Sequence, residues 1–549
     1  MVFVLLVTPL LLLADVEIPD IPWFGSNPSA QNMCPQTKAL HPRAKKAANV
    51  LNSIDSPEFL AQAVGTLSGA VKIRTETFDV MGKVGEDPAW EVFGTFQTYL
   101  QGAFPLVHEQ LKLAKVNTFG LVYEWTGSNS TLKPILLAAH QDTVPVNPAT
   151  IDEWTHPPWS GHYDGEWIWG RGSDDDKSAL VSILLAIETM LLHRVKPQRT
   201  VVLAFGFDEE VSGRQGAGMI APYLEQHYGA DAFAMLVDEG GGMVEEYGAL
   251  FAAPAIGEKG YIDTRIEITT PGGHSSIPPP SQHTGIGILS QIIVLLESNT
   301  ILPRLSRSQP IYDSFKCVAQ HAPGIPSTLK RAIEKSTDSE RALHRMEEMI
   351  FADNMIKSIV GTTQAVDMIQ GGVKSNALPE QSWAVVNSRI STDSTVSAVK
   401  SHYTSLIKDF AITNNVTFIA FGDMIHDRGS LVKIEISDAW GTALEPAPVT
   451  PIDAEPYKLL SGTIIATESR GKNDTDAPPL YVMPSVMSGN TDTRHYWNIS
   501  SHIFRYSHIR MTDGTGIHTV DEHVRVTAIV GMVRFFVNLL FNADEAINL

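Results

Sequence analysis

The sequence is short of cysteine, with only Cys34 and Cys317 in 549 residues. Two cysteines allow one bridge at most and exclude a disulfide framework. No Cys pair has zinc-finger spacing, so a transition metal here must be held by histidines and carboxylates. Positive charge is also scarce: 41 Lys and Arg stand against 61 Asp and Glu, a net charge of −20. That balance excludes a general electrostatic footprint for nucleic acid or an anionic membrane surface. Long apolar runs are missing too. The run at 2–14, VFVLLVTPLLLLA, falls short of the roughly 20 residues a spanning helix needs. It fits the apolar stretch of a signal peptide, although the basic residues that usually precede one are lacking; a truncated membrane anchor is the alternative. No later run reads as a span. Internal repeats, low-complexity tracts, a helical HExxH motif and a GxSxG elbow are all absent.

What is present is ordinary globular composition, 43% apolar, at a length that predicts two to four structural units. Four Asn-x-Ser/Thr sequons, at Asn129, Asn415, Asn473 and Asn498, join the leader in pointing to the secretory pathway, either a vacuolar or lysosome-like lumen or secretion. Residues 15–45 read as an extended segment. From 46 to 257, helical stretches give way to short apolar runs (LVYEW, PILLAAH, VVLAFGF, AFAMLVDEG) that alternate with helices such as KSALVSILLAIETMLLHR. This predicts an α/β domain on a mixed, largely parallel sheet flanked by helices. From 258 to 440, alternating strands (TRIEITT, WAVVNSRIS) with helices between them predict a second, α+β domain, with a polar helical insertion at about 302–357. From 441 to 549 the chain is expected to rejoin the first domain and end in a long amphipathic helix.

In α/β sheets ligands bind beyond the carboxyl ends of the strands. His140-Gln141-Asp142 follow PILLAA, Asp174-Asp175-Asp176 follow WIWGRGS, Asp208-Glu209-Glu210 follow VVLAFGF, and Asp238-Glu239 follow AFAMLV. Each has an ordinary explanation when taken alone: a hydrogen-bonding histidine, a helix cap, a solvated acidic turn. Four such groups in phase with four strand ends would repel one another unless a cation neutralised them.

AAHQDTVPV, GRGSDDDK, FGFDEEVSG, VDEGG, TTPGGHSS, GGVKSNALPE and GIHTVDE occur in this order. The order resembles the co-catalytic zinc peptidase family that includes carboxypeptidase G, the aminoacylases and carboxypeptidase S. EDPAWEVF (86–93) and GNTDTRHYW (489–497) resemble the carboxypeptidase S branch in particular. The resemblance spans roughly 45–545 and implies two Zn²⁺ ions per chain. His140, Asp238 and the bridging Asp175 would hold one ion, with Glu239 the alternative to Asp238. Glu210, His518 and the same Asp175 would hold the other. Asp142 would orient His140, Glu209 would be the general base, and the Asp175–Asp176 peptide would be cis. In the second domain His274 would stabilise the oxyanion, while Asn376 and Arg389 would bind substrate, the Arg through its fork to a carboxylate. For Arg389 a surface ion pair is an equal alternative. The implied reaction is hydrolysis of an amide next to a free carboxylate, in a short peptide or in an N-fatty-acyl amino acid. A non-catalytic binding protein on the same fold is the reading from another class. The second domain also resembles a lid and dimerisation domain, which leaves homodimer and monomer both open.

Overall fold

The computed structural model describes residues 32–279, 283–470 and 479–549. The apolar run at 2–14 and the sequon at Asn473 lie outside them. The chain divides into two units: one holds the chain up to Ile256 with Asp313–Glu334 and Pro448–Leu549, the other Gly257–Tyr312 and Lys335–Ala447.

The first unit is built on a mixed sheet. Its centre runs in the spatial order Val201–Gly206, Ile135–His140, Met235–Glu246, Ile503–Arg510, and these four strands are mutually parallel. Strand alternation sorts their side chains into two cores. Leu137, Ala139, Leu203, Phe205 and Val237 face a cluster with the helices Pro57–Val71, Lys177–Leu192 and Val526–Glu545. Leu136, Ala138, Val202, Ala204 and Leu236 face a second cluster with the helix Ala217–Tyr228. Burial on both faces is why these strands read as unbroken apolar runs. The last helix, expected to be amphipathic, is buried over most of its circumference. It has the length and composition of a membrane span, but its surroundings are those of a core helix.

The second unit is a two-layer α+β sandwich. Its six-stranded sheet is ordered Thr363–Gly371, Gln381–Ile390, Gly260–Thr269, Lys433–Asp438, Thr417–Ala420, Asp423–His426. In Gly260–Thr269 every second residue is buried, against the helices Gly285–Ser298 and Val396–Asn414. One division differs from the sequence expectation. The sequence pattern places the whole stretch at 302–357 in the second domain, whereas Asp313–Glu334 groups with the first unit. Cys317 in this stretch is disulfide-bonded to Cys34, and Ser314 Oγ donates to the carbonyl of Pro484. A polar helical sequence carries no record of such tertiary fastenings.

Candidate metal centre

Three of the four parallel strands of the first sheet carry polar groups to this edge. Ile135–His140 ends on His140 itself. Val201–Gly206 leads into the short turn Glu209–Val211, and Glu239 lies within Met235–Glu246. Asp175 precedes the helix Lys177–Leu192, and the peptide between Asp175 and Asp176 is cis. At the helix N-cap, Asp176 makes no side-chain capping bond, so capping does not account for the three aspartates. His518 sits in a turn between the short strands Gly514–Thr515 and His523–Arg525. These strands join Trp167–Trp169 and His162–Tyr163 in a small sheet of the same unit.

Asp175 occupies the middle of the cluster. Its Oδ1 lies 3.0 Å from His140 Nε2, and its Oδ2 lies 3.2 Å from His518 Nε2. His140 Nε2 also faces Glu239 Oε1 at 3.7 Å, while His518 Nε2 faces Glu210 Oε2 at 3.1 Å. The two oxygens of one carboxylate are thus divided between two imidazoles, each with a further carboxylate beside it. Candidate ligand atoms of His140, Glu209 and Glu239 lie within 4.8 Å of one another, and so do those of His140, Asp175 and Glu210.

Behind this layer stands Asp142, fully buried. Its backbone carbonyl lies 3.0 Å from His140 Nδ1 and its Oδ1 3.3 Å from the same atom, which leaves Nε2 to face the centre. The same carboxylate accepts the backbone amides of Glu209 and Glu210, each at 3.1 Å, and the Thr77 hydroxyl at 2.9 Å.

The electrostatics are those of crowded negative charge. Burial pushes the Glu209 carboxyl up to about 8, against the lowering pull of His140. Burial and the Asp175 charge raise Glu239 as well, and the same two causes raise Glu210. Burial acts upward on Asp175 too, yet its two imidazole partners hold that carboxyl below the ordinary range. Glu239 Oε1 is buried without a hydrogen-bond partner among the described residues. Imidazole nitrogens and buried carboxylate oxygens, one of them unpartnered, form a donor set that fits Zn²⁺ or a similar divalent cation.

His140, Asp142, Asp175, Glu209, Glu210 and His518 therefore come together. At the acidic pair the geometry departs from the residue chosen from sequence. Asp238 accepts the amide of Glu239 at 3.0 Å, and it is Glu239 that faces His140. Neighbours on a strand point to opposite faces, so a VDEGG match cannot tell which of the two faces the cluster. His274 and Asn376 lie in the second unit, both exposed. His274 is in a two-residue strand paired with Ala377–Leu378, and its Nδ1 is 2.7 Å from Ser276 Oγ. The carbonyl of Asn376 accepts the amide of Ser275. Arg389 is not beside them. It pairs with Tyr261, at the opposite end of the Gly260–Thr269/Gln381–Ile390 ladder, eight residues or roughly 26 Å along the strand from Gln381.

Several residues carried no signal that sequence reading could use. Thr77 follows no motif. Arg494, in the GNTDTRHYW stretch, has its Nη2 3.5 Å from Glu209 Oε1. Glu522, the last residue of GIHTVDE, accepts the amides of Asp174 and Asp175.

Comparison with known proteins concerns the chain as a whole. A profile described as Peptidase family M20/M25/M40 matches residues 136–542. The chain is 37% identical to carboxypeptidase S of Saccharomyces cerevisiae, covering 95% of this chain and 91% of that protein. It is 36% identical to an uncharacterized carboxypeptidase of Schizosaccharomyces pombe, covering 93% and 84%. It is 30% identical to the N-fatty-acyl-amino acid synthase/hydrolase of Mus musculus, covering 91% and 92%. Among solved structures, human carnosine dipeptidase 1 superposes with a TM-score of 0.60 at 15% identity, over 92% of this chain and all of that one. At that identity the likeness speaks for the fold.

Proposed function

Because the chain belongs to peptidase family M20/M25/M40, we infer that it is a metal-dependent carboxypeptidase that releases C-terminal amino acids from short peptides. The observation that carries the metal chemistry is the division of the Asp175 carboxylate between His140 and His518. We assign two Zn²⁺ ions to it, with His140, Asp175 and Glu239 holding one and His518, Asp175 and Glu210 the other. Bound there, such ions polarise the scissile carbonyl and bring the pKa of a water toward neutrality.

The chain's own residues supply the rest. Glu209, close to the ligands but outside both sets, takes the proton of the attacking water and returns it to the leaving nitrogen. Asp142 fixes His140 and the Glu209–Glu210 turn together. The Arg494 guanidinium stands beside Glu209, its Nη2 3.5 Å from Glu209 Oε1. His274, Asn376 and Arg389 keep the roles the family pattern implies for them. A homodimer through the second unit has the mostly exposed edge strand Thr363–Gly371 in its support. The Cys34–Cys317 disulfide supports an oxidising compartment of the secretory pathway, a vacuolar lumen or the exterior.

Identity to the murine synthase/hydrolase keeps N-fatty-acyl amino acids as a second substrate class, on the same metals. The deciding experiment offers the zinc-loaded enzyme dipeptides of varied C-terminal residue together with N-fatty-acyl amino acids, and identifies products by mass spectrometry. Amino acids are expected from the dipeptides first. Preferential cleavage of the lipidated substrates would replace the carboxypeptidase reading with the second one, and no product from either class would sink both.

A further inference from the structure

Of the residues around the metal centre, His518 comes from the most distant part of the sequence. It reaches the cluster on the turn between Gly514–Thr515 and His523–Arg525. Its partners Asp175 and Glu210 belong to segments several hundred residues earlier. Something must hold that turn in place against the Asp175 loop, and the contacts that do so converge on one buried ion pair.

Glu522, fully buried, lies four residues beyond His518. Its Oε1 accepts the amide of Asp174 at 2.9 Å and that of Asp175 at 3.1 Å. Its Oε2 lies 2.5 Å from Arg171 Nη1. Arg171, itself buried, uses its Nη2 to donate to the carbonyl of Thr519 at 2.9 Å, the residue next to His518. The amide of Gly170 donates to the Glu522 carbonyl at 2.8 Å. The Arg171 fork thus grips both ends of the His518 turn, at Thr519 and at Glu522, while Glu522 grips the backbone from which Asp175 projects. Among the described residues neither member of this pair bonds to His140 or Glu239, which are set on the central strands; the pair reaches His140 only through Asp175.

We propose that Arg171 and Glu522 form a latch that positions His518 against Asp175, so that the second metal ion, which takes both residues as ligands, depends on it more than the first, which takes only Asp175. The inference rests on the two-metal reading above. Neither residue touches a metal or substrate; both act through His518 and Asp175. A salt bridge that served stability alone would, when broken, lower the melting temperature and leave the relative affinities of the two metal ions unchanged.

The test is titration of the metal-free full-length protein with Zn²⁺ by calorimetry, alongside thermal unfolding of the same metal-free samples. The variants are Glu522→Ala, which removes the acceptor for both amides, and Arg171→Lys. The latter keeps the charge but loses the fork that reaches Glu522 and Thr519 at once, and it serves if Glu522→Ala fails to fold. In the wild-type protein two equivalents are expected. In the variants one equivalent should lose at least ten times more affinity than the other. Equal weakening of both equivalents, or a fall in melting temperature with both affinities intact, would overturn the latch and leave the two-metal reading standing. Uptake of only one equivalent by the wild type would bring down the two-metal reading and this inference with it.

Discussion

Asp142 supplies no ligand in the proposed arrangement, yet three features of the centre depend on it: the orientation of His140 and the backbone positions of Glu209 and Glu210. Asp142→Asn exchanges one acceptor oxygen for an amide donor, which faces either the His140 ring or the backbone N–H groups. Groups behind a metal ligand are commonly worth 10- to 100-fold in affinity or rate. Asp142→Asn is expected to fall in that range in kcat/KM, with metal content reduced as measured by elemental analysis. Glu209→Gln should behave differently. It removes the proton acceptor but none of the five ligand groups, so both metal ions should stay while turnover drops by at least about 10²-fold. Wild-type turnover in that variant would remove Glu209 from the base role. At this scale the sequence was informative where residue type and order suffice, as at His140, Asp175 and Glu210. It was uninformative at Asp238-Glu239, where two adjacent carboxylates differ only in the face of the strand they occupy. It also gave no reason to single out Thr77 or the Arg171–Glu522 pair.

Among the elements, the helix Lys177–Leu192 is buried along its whole length up to Leu191, and unbroken apolar character made it legible in the sequence. The strand Gly260–Thr269 was legible for the opposite reason, since one-sided burial imposes an alternation. The residue just before that strand shows what pattern cannot reveal. Lys259 is buried, and its Nζ donates to the carbonyls of Ser358 and Gly361 at 2.7 and 2.6 Å. Burial, with Arg389 adding to it, pushes its ammonium group down to about 7. In the unfolded chain the lysine keeps its proton to about pH 10. Between these values the unfolded state binds more protons, so folding stability rises with pH, by up to about 1.4 kcal/mol per unit. Lys259→Met removes that dependence. Denaturant unfolding at pH 7, 8 and 9 should therefore show the stability gap shifting in favour of wild type as pH rises. Parallel pH profiles for the two proteins would refute this account of Lys259.

Over the whole molecule the chain is held together across very long sequence separations. The Cys34–Cys317 bond spans 283 residues and ties the N-terminal segment to the helix Pro310–His321. Loss of a native disulfide typically costs about 2–5 kcal/mol. Cys317→Ser should lower the melting temperature of the protein by several degrees with little change in kcat/KM, because neither cysteine belongs to the metal centre. A variant with wild-type melting behaviour would show that the bond contributes nothing to stability. The sequence by itself determined the alternation of strands and helices, the α/β class, the second α+β unit and the set of polar residues at the strand ends. These follow from local periodicity and from residue chemistry. Tertiary structure alone decided that Glu239 faces His140, that Arg389 stands at the far end of its ladder from His274, that Asp313–Glu334 groups with the first unit, and that Glu522 braces Asp175. Each of those depends on which face a side chain takes, or on where distant segments meet, and neither is recorded in local order along the chain.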